Sequence, residues 1–334
     1  MKRLTMIALS VVSVAISAIL FHQQDRIHNV ADAFRVLTEP FGPTGGSDVS
    51  SIDPSLVSAR SRDTPTLRIA SFNLGILGTS KVEDRAAMEN LARILRQFDV
   101  VALQEIRSLD RTVPQQLLEW VDQGEGRYDM IVSPRIGRTS QQEQYAFLYD
   151  RTVVELDVTR SYVVTDPQDF LHREPFVVWG RTVEPDPQAA FTFTLVNIHT
   201  DPDEIAKEIP ILGQLIRAVR NDGRQEDDVI LLGDFNADPS YLMRLIDEPG
   251  LRCTIIDKPT NTRGTQEYDN ILVTQPGTVE YLGQSGVFDF YNEFNLTMDE
   301  ALNVSDHLPV WADFSLYEGG SPSELARVPA EAPF

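Results

Sequence analysis

"VILLGDFNADPSY", residues 229–241, opens as an apolar run and closes on two carboxylates and an amide. Val229–Leu232 suit a buried strand. Gly233, Asp234, Phe235, Asn236, Ala237 and Asp238 follow at once. Gly, Asp and Asn are common turn residues, so the plain reading is a tight turn. The sharper reading is a metal or phosphate site at a strand end, because loops on a rigid sheet are where chemistry collects. The rest of the chain separates the two. "LRIASFN" (67–73) ends at Asn73, and "VVALQE" (100–105) ends at Glu105. "FTFTLVNIHTD" (191–201) ends at His199 and Asp201. "EYDNILV" (267–273) begins its strand after Asp269, and "VSDHLPV" (304–310) after Asp306 and His307. Any one of these reads as a cap or a turn. Six strand ends with carboxylate, amide or imidazole chemistry read as a rim, which parallel neighbours would gather at one edge of a sheet.

The residue types narrow the chemistry. Carboxylates and amides with no cysteine among them suit hard, oxygen-loving cations such as Mg²⁺, Mn²⁺ or Ca²⁺. Two histidines among acids suit proton transfer near neutrality, since a free imidazole has a pKa of about 6.5. There is no G-x-S-x-G elbow and no Walker loop, so serine hydrolases and P-loop ATPases find no support. Metal-assisted phosphoester hydrolysis needs the parts present: a cation on the phosphate, a base for water and an acid for the leaving oxygen.

The 334 residues are 42% hydrophobic, ample for a large core. Lys and Arg total 29 against 50 Asp and Glu, a net charge of -21. Such a chain repels polyanions unless a local basic patch or bound cations intervene. Cys253 is the one cysteine, so no intramolecular disulfide forms. "MKRLTMIALSVVSVAISAILF" places Lys2 and Arg3 before an uncharged apolar run, which reads as a signal peptide or signal anchor over residues 1–21. The rest of the chain is then expected outside the cytoplasm, secreted, periplasmic or tethered to the membrane by that segment. Residues 22–66 and 317–334 are rich in Gly, Ser, Pro and Asp or Glu and read as a flexible linker and tail.

Between them the pattern is α/β. Residues 83–97 place Met88, Leu91, Ile94 and Leu95 on one helical face. A second helix-like segment, about 203–219, is interrupted by Pro210, which predicts a kink or a late start. Nine strand-like stretches, many joined hairpin fashion, fit two packed sheets with outer helices.

In their order, "SFN", "LQEIR", "EQYAFLYD", "HREPFVV", "VNIHTDPD", "GDFNADPSY", "EYDNILV" and "SDHLPV" resemble the endonuclease/exonuclease/phosphatase superfamily, and within it the deoxyribonuclease I branch, over about Leu67 to Leu316. The resemblance implies a four-layered α/β/β/α sandwich of two mixed sheets over 67–316 with the active site on one rim. It implies Glu105 as principal Mg²⁺ (or Mn²⁺) ligand with Asn73 beside it, and Asp234, Asn236 and Asp306 completing the metal and phosphate environment. His199 and His307 become the acid–base pair, oriented by Glu143 and Asp269, with His307 preferred as base and His199 as acid. Arg173 is expected on a phosphate oxygen and Arg107 in a DNA groove, with Arg135 and Arg138 nearby. Asp257, Thr260 and Thr262 resemble a structural Ca²⁺ loop, and Asp169 and Glu174 stand where a second would be. Two departures stand out: Pro239 replaces a disulfide cysteine, and Gln141 stands where a groove tyrosine packs on a DNA sugar.

The leading expectation is a metal-dependent, extracytoplasmic phosphodiesterase that cuts DNA. A same-fold alternative acts on phosphorylated lipid, inositol phosphate or nucleotide. A third, of a different class, is a catalytically silent binding or adhesion module.

Overall fold

The computed structural model describes residues 66–138, 142–224, 226–275 and 277–320. The leader, the linker as far as Pro65, Gln141 and the tail beyond Gly320 lie outside the described residues. Two six-stranded sheets face each other. The first contains β1 (Leu67–Leu77), β2 (Val100–Ile106), β3 (Tyr128–Val132), β4 (Gln144–Asp150), β11 (Tyr281–Val287) and β12 (Val310–Phe314), in the order β11-β12-β1-β2-β4-β3. The second contains β5 (Val154–Val163), β6 (Phe176–Thr182), β7 (Thr192–His199), β8 (Val229–Asp234), β9 (Leu251–Cys253) and β10 (Asp269–Thr274), in the order β5-β6-β7-β8-β10-β9. β1 and β2 run parallel, as do β7 and β8, and the remaining pairs are antiparallel.

Period-two alternation explains why the central strands look uniformly greasy. In β8, Ile230 and Leu232 point between the sheets, with Leu67, Ile69, Phe147, Phe193 and Ile271. Val229 and Leu231 point the other way, under α5 (Leu212–Arg220) and α6 (Pro239–Leu245). The outer face of the first sheet is covered likewise: Ala70, Phe72, Val101 and Leu103 pack beneath α2 (Arg85–Leu95), α3 (Val113–Asp122) and α8 (Met298–Val304). A strand buried on both faces must be apolar at every position. The layers are helix, sheet, sheet, helix, as the sequence pattern implied.

The local departures have local causes. The helix expected over 83–97 forms as α2 over Arg85–Leu95, and Asp84, which follows a separate short helix α1 (Thr79–Glu83), caps it by accepting from the Ala87 amide at 3.0 Å. Near Pro210 the chain forms α4 (Ile205–Glu208), a 3₁₀ turn over Ile209–Ile211 and then α5, which is the interruption expected of that proline. The chain stays attached past Leu316, because Glu318 N donates to Ala189 O at 3.0 Å and Gly319 N to Glu280 Oε1 at 2.7 Å.

Candidate active site

The same alternation builds the site. Continue Ile230, Leu232 by two and the next inward residue is Asp234. In β7 the series Phe193, Leu195, Asn197 arrives at His199, and in β1 Leu67, Ile69, Ser71 arrives at Asn73. In β10 Asp269 precedes Ile271 and Val273, and Glu143 precedes Tyr145 and Phe147. The reactive groups are thus the rim-ward continuation of the core between the sheets. Register aligns them, with Asp234 opposite both His199 and Asp269. Asn73, Glu143, His199, Asp234, Asp269 and His307 are all buried.

Backbone geometry completes the placement. Gly233 has φ +153, and a Cβ there would lie 1.8 Å from the Ile198 carbonyl oxygen, so only glycine lets β7 and β8 pair up to the rim. Glu105 has φ 63, a left-handed conformation costly for a side-chain-bearing residue. It coincides with a register shift between β2 and β4, which redirects the glutamate out of the core. Its Oε2 accepts from Ile76 N at 2.8 Å. Gly75, at φ +54, is packed so closely that a Cβ would meet Asp306 Oδ1 at 2.9 Å.

Two imidazoles face one carboxylate. His199 Nδ1 lies 2.9 Å from Glu143 Oε1, and His307 Nδ1 lies 2.9 Å from Asp269 Oδ2. Their Nε2 atoms stand 3.5 and 3.6 Å from Asp234 Oδ2, to which Asn73 Nδ2 also donates at 3.0 Å. Burial disfavours charge on both rings, but the carboxylates prevail. Glu143 and Asp234 hold the His199 pKa above its ordinary value. Asp269, then Asp234 and Asp306, push His307 up to about 10. The supporting acids differ. Burial opposes ionisation of Glu143, yet His199, Arg173 and Arg107 draw its pKa below normal. Asp269 has no such guanidinium, and burial with Asp234 nearby leaves its pKa raised.

The donor set beside this pair is one of hard oxygens. Glu105, Asp234 and the exposed Asp306 supply carboxylates at the rim, and Asn73 and Asn236 supply amides. Asn236 N donates to Asp234 Oδ1 at 2.9 Å. Glu105, Glu143 and His199 have ligand atoms within 4.8 Å of one another, as do Asp234, Asp269 and His307. Oxygen ligands with excess negative charge fit a divalent cation of the Mg²⁺ or Mn²⁺ kind. Lys81, which the sequence reading passed over, sits beside them. Its Nζ donates to Leu74 O at 2.7 Å, Gly75 O at 2.5 Å and Val304 O at 3.0 Å. Burial lowers its pKa to about 8, against the pull of Asp306 and Glu105.

Other residues stand elsewhere than expected. Arg173 is 2% exposed, with Nε 3.3 Å from Glu143 Oε1 and its guanidinium donating to His199 O at 3.2 Å. It stands behind the imidazole, beside Glu143 and the His199 carbonyl. Arg107 lies 3.4 Å from Glu105 and 3.5 Å from Glu143. Arg135 donates to the carbonyls of Ser108 and Gln142, and Arg138 pairs with Asp169 at 3.1 Å and Glu204 at 2.6 Å. These two arginines tie their loop to neighbouring segments. Thr260 Oγ1 donates to Asp269 Oδ2 at 2.8 Å, and Thr262 Oγ1 to Ser305 O at 2.7 Å. Both hydroxyls buttress the His307 side of the site, whereas Asp257 is exposed. Glu174 joins none of the acidic or histidine clusters among the described residues.

A two-sheet sandwich carrying paired imidazoles, their buried acids and an oxygen-rich rim defines a class of phosphoester hydrolases. The chain belongs to the Endonuclease/Exonuclease/phosphatase family, whose sequence pattern matches residues 70–307. It is 35% identical over 268 residues to deoxyribonuclease gamma of Rattus norvegicus, covering 73% of this chain and 83% of that one. It is 33% identical over 271 residues to deoxyribonuclease-1-like 1 of Homo sapiens, covering 78% and 88%. The fold is shared with a family member from Leptotrichia buccalis at a TM-score of 0.51 and 19% identity, over 75% of this chain and 99% of that one. The chain is a phosphoric diester hydrolase of the endonuclease-like type, and the reading as a silent module falls away.

Proposed function

We propose that the chain is a divalent-cation-dependent DNA endonuclease acting outside the cytoplasm. One observation carries the mechanism: two acid-backed imidazoles present Nε2 to the same side of Asp234, at 3.5 and 3.6 Å. Water attacks phosphorus as one ring takes its proton, and the other ring protonates the leaving oxygen. Glu143 and Asp269 hold the proton on each Nδ1, so Nε2 is the working atom in both. Glu105, with Asn73 and Asp234, would hold a divalent cation that draws charge from the phosphate oxygens. Asp269 and then Asp234 push the His307 pKa up to about 10, which favours the protonated ring of an acid. The base role preferred for it therefore needs the pull of these carboxylates offset. Arg173 keeps His199 and Glu143 in place and does not bind substrate.

The deoxyribonucleases among the relatives support DNA as substrate. Lys2, Arg3 and the apolar run after them support export. A second reading, hydrolysis of phosphorylated lipid, inositol phosphate or nucleotide by the same machinery, is favoured by the net charge of -21 and by the internal engagement of Arg135 and Arg138. The full chain with Mg²⁺, with and without Ca²⁺, is to be assayed on supercoiled plasmid, oligonucleotide, phospholipid and inositol phosphate. Nicking of plasmid is the expected result. Turnover of lipid or inositol phosphate with DNA left intact would move the assignment to the second reading. A reporter fused after Phe334 that is active only in the cytoplasm would refute export.

A further inference from the structure

β8 carries a second acidic cluster at its other end. Asp234 is at the catalytic rim, and Asp228 immediately precedes the first residue of the strand. Six residues of extended chain place it about 20 Å away. There Asp228, Glu280 and Glu318 bring carboxylate oxygens within 4.8 Å of one another, and Glu226, Asp227 and Asp228 do the same. Asp228 is 2% exposed and Glu280 1%. Some of this oxygen is used: Glu280 Oε1 accepts from Gly319 N at 2.7 Å, Glu318 Oε2 from Thr192 N at 3.0 Å, and Glu226 from Asp228 N at 3.0 Å and Trp179 Nε1 at 3.1 Å. Two atoms are not. Asp228 Oδ1 and Glu280 Oε2 are enclosed and accept no hydrogen bond from the described residues. Among the described residues no Lys, Arg or His forms an ion pair with any of these five acids.

We propose that this pocket is a structural site for a hard divalent cation of calcium's size, held by Asp228, Glu280 and Glu318. Enclosed carboxylate oxygens with no donor are costly, and a cation is the partner that can satisfy several at once. Ca²⁺ takes oxygens at about 2.3–2.6 Å in irregular geometry, which suits atoms this far apart on three different segments. The location gives it a task. Asp228 leads into the second sheet, whereas Glu280 leads into β11 and Glu318 follows β12, both of the first sheet. One ion would join the two sheets and the chain after β12 in a protein that has no disulfide to do so.

The test is thermal unfolding of the full chain in EDTA and in Ca²⁺, for the wild type and for Asp228→Asn combined with Glu280→Gln. Ca²⁺ at about 100 times its dissociation constant should raise the wild-type Tm by about 5 °C or more. The double variant should lose that rise yet melt no lower than wild type in EDTA, because two like charges have gone. Mg²⁺-dependent hydrolysis by the variant should persist. Glu105→Gln, at the other rim, should keep the Ca²⁺-dependent rise. If the double variant does not fold, Glu318→Gln and the number of Tb³⁺ ions bound by wild type decide instead, with one fewer Tb³⁺ expected in Glu318→Gln. A wild-type Tm indifferent to millimolar Ca²⁺, a rise that survives the double substitution, or an unchanged Tb³⁺ count overturns the proposal. A shared proton in place of an ion is the first of these outcomes.

Discussion

Glu143 and Asp269 do the same work for their histidines, yet neutralising each should have unequal consequences for stability. Glu143→Gln leaves the buried Arg173 guanidinium without its counter-charge, facing only neutral acceptors such as the His199 carbonyl among the described residues. Arginine cannot shed its proton. Removing one partner of a buried pair then costs about 3–5 kcal/mol, or about 10 °C in Tm for a domain this size. Asp269→Asn strands nothing. Asp269 is itself an unfavourable buried charge, its pKa raised by burial and by Asp234. His307, unlike arginine, can lose its proton and stay buried as a neutral ring. An asparagine oxygen can still accept from Thr260 Oγ1, now 2.8 Å from Asp269. The Tm should fall by less than in Glu143→Gln, by about 5 °C or less, because the attraction that raises the His307 pKa is lost but no fixed charge is left stranded. Both variants should lose at least about a hundredfold in kcat/KM, because each imidazole loses the anion that fixes its tautomer. The assay is a thermal melt in EDTA beside initial rates on the best substrate per folded molecule. Equal losses of stability would refute this account of their surroundings. Wild-type turnover in folded Asp269→Asn would refute the proton-transfer role of His307.

Gly233→Ala forces a Cβ onto the Ile198 carbonyl, 1.8 Å away, and should cost about 3 kcal/mol or more together with activity; a melting curve superimposable on wild type would disprove that constraint. The folded pKa of His307, about 10, is above its unfolded value of about 6.5. Its contribution to stability is therefore complete below about pH 6.5 and disappears as pH rises toward 10, so without divalent cations wild type should weaken across that window and His307→Asn should weaken less; parallel stability–pH curves would count against the shift. Glu105→Gln should raise the Mg²⁺ needed for half-maximal rate by at least about tenfold, and an unaltered Mg²⁺ titration would remove Glu105 from the ligand set.

The central strands were legible because burial on both faces leaves a continuous apolar run, as in Val229–Leu232. Edge strands leave a weaker record, and of the four only β3 was read. β5, β9 and β11 were not anticipated, and all three are sheet edges. β5 exposes Val158 at 62% and alternates poorly, and β11 contains Gly283 and Gly286. A strand with a neighbour on one side and solvent on the other is under weaker compositional constraint. The short helices α6 and α8 escaped for a similar reason: seven residues each cannot show two turns of amphipathic repeat.

The candidate site was legible where side-chain type alone reveals chemistry, and obscure where chemistry depends on who stands behind whom. His199, His307, Asp234 and Glu105 could be picked from strand ends because acid and imidazole at the end of a core strand are chemically conspicuous. That Glu143 and Asp269 face these rings is a matter of register between strands far apart in the chain, and the resemblance, not the spacing, pointed to it. Arg173 shows the limit most clearly. Its guanidinium and its neighbourhood both suited a phosphate, and no feature of "HREPFVV" says whether it reaches the rim or stops behind Glu143. The difference is one layer of packing, and it separates a substrate contact from the brace proposed above. Lys81 shows the converse, since three carbonyls from β1 and α8 converge on an ammonium that begins in an unremarked helix. A single lysine in a sequence carries no sign of the oxygens that other segments will aim at it. Arg173→Lys should lower stability and His199-dependent turnover together while leaving KM near wild type, because a brace sets the geometry of the reacting groups without holding substrate. A rise in KM with kcat and stability preserved would instead put Arg173 on the phosphate.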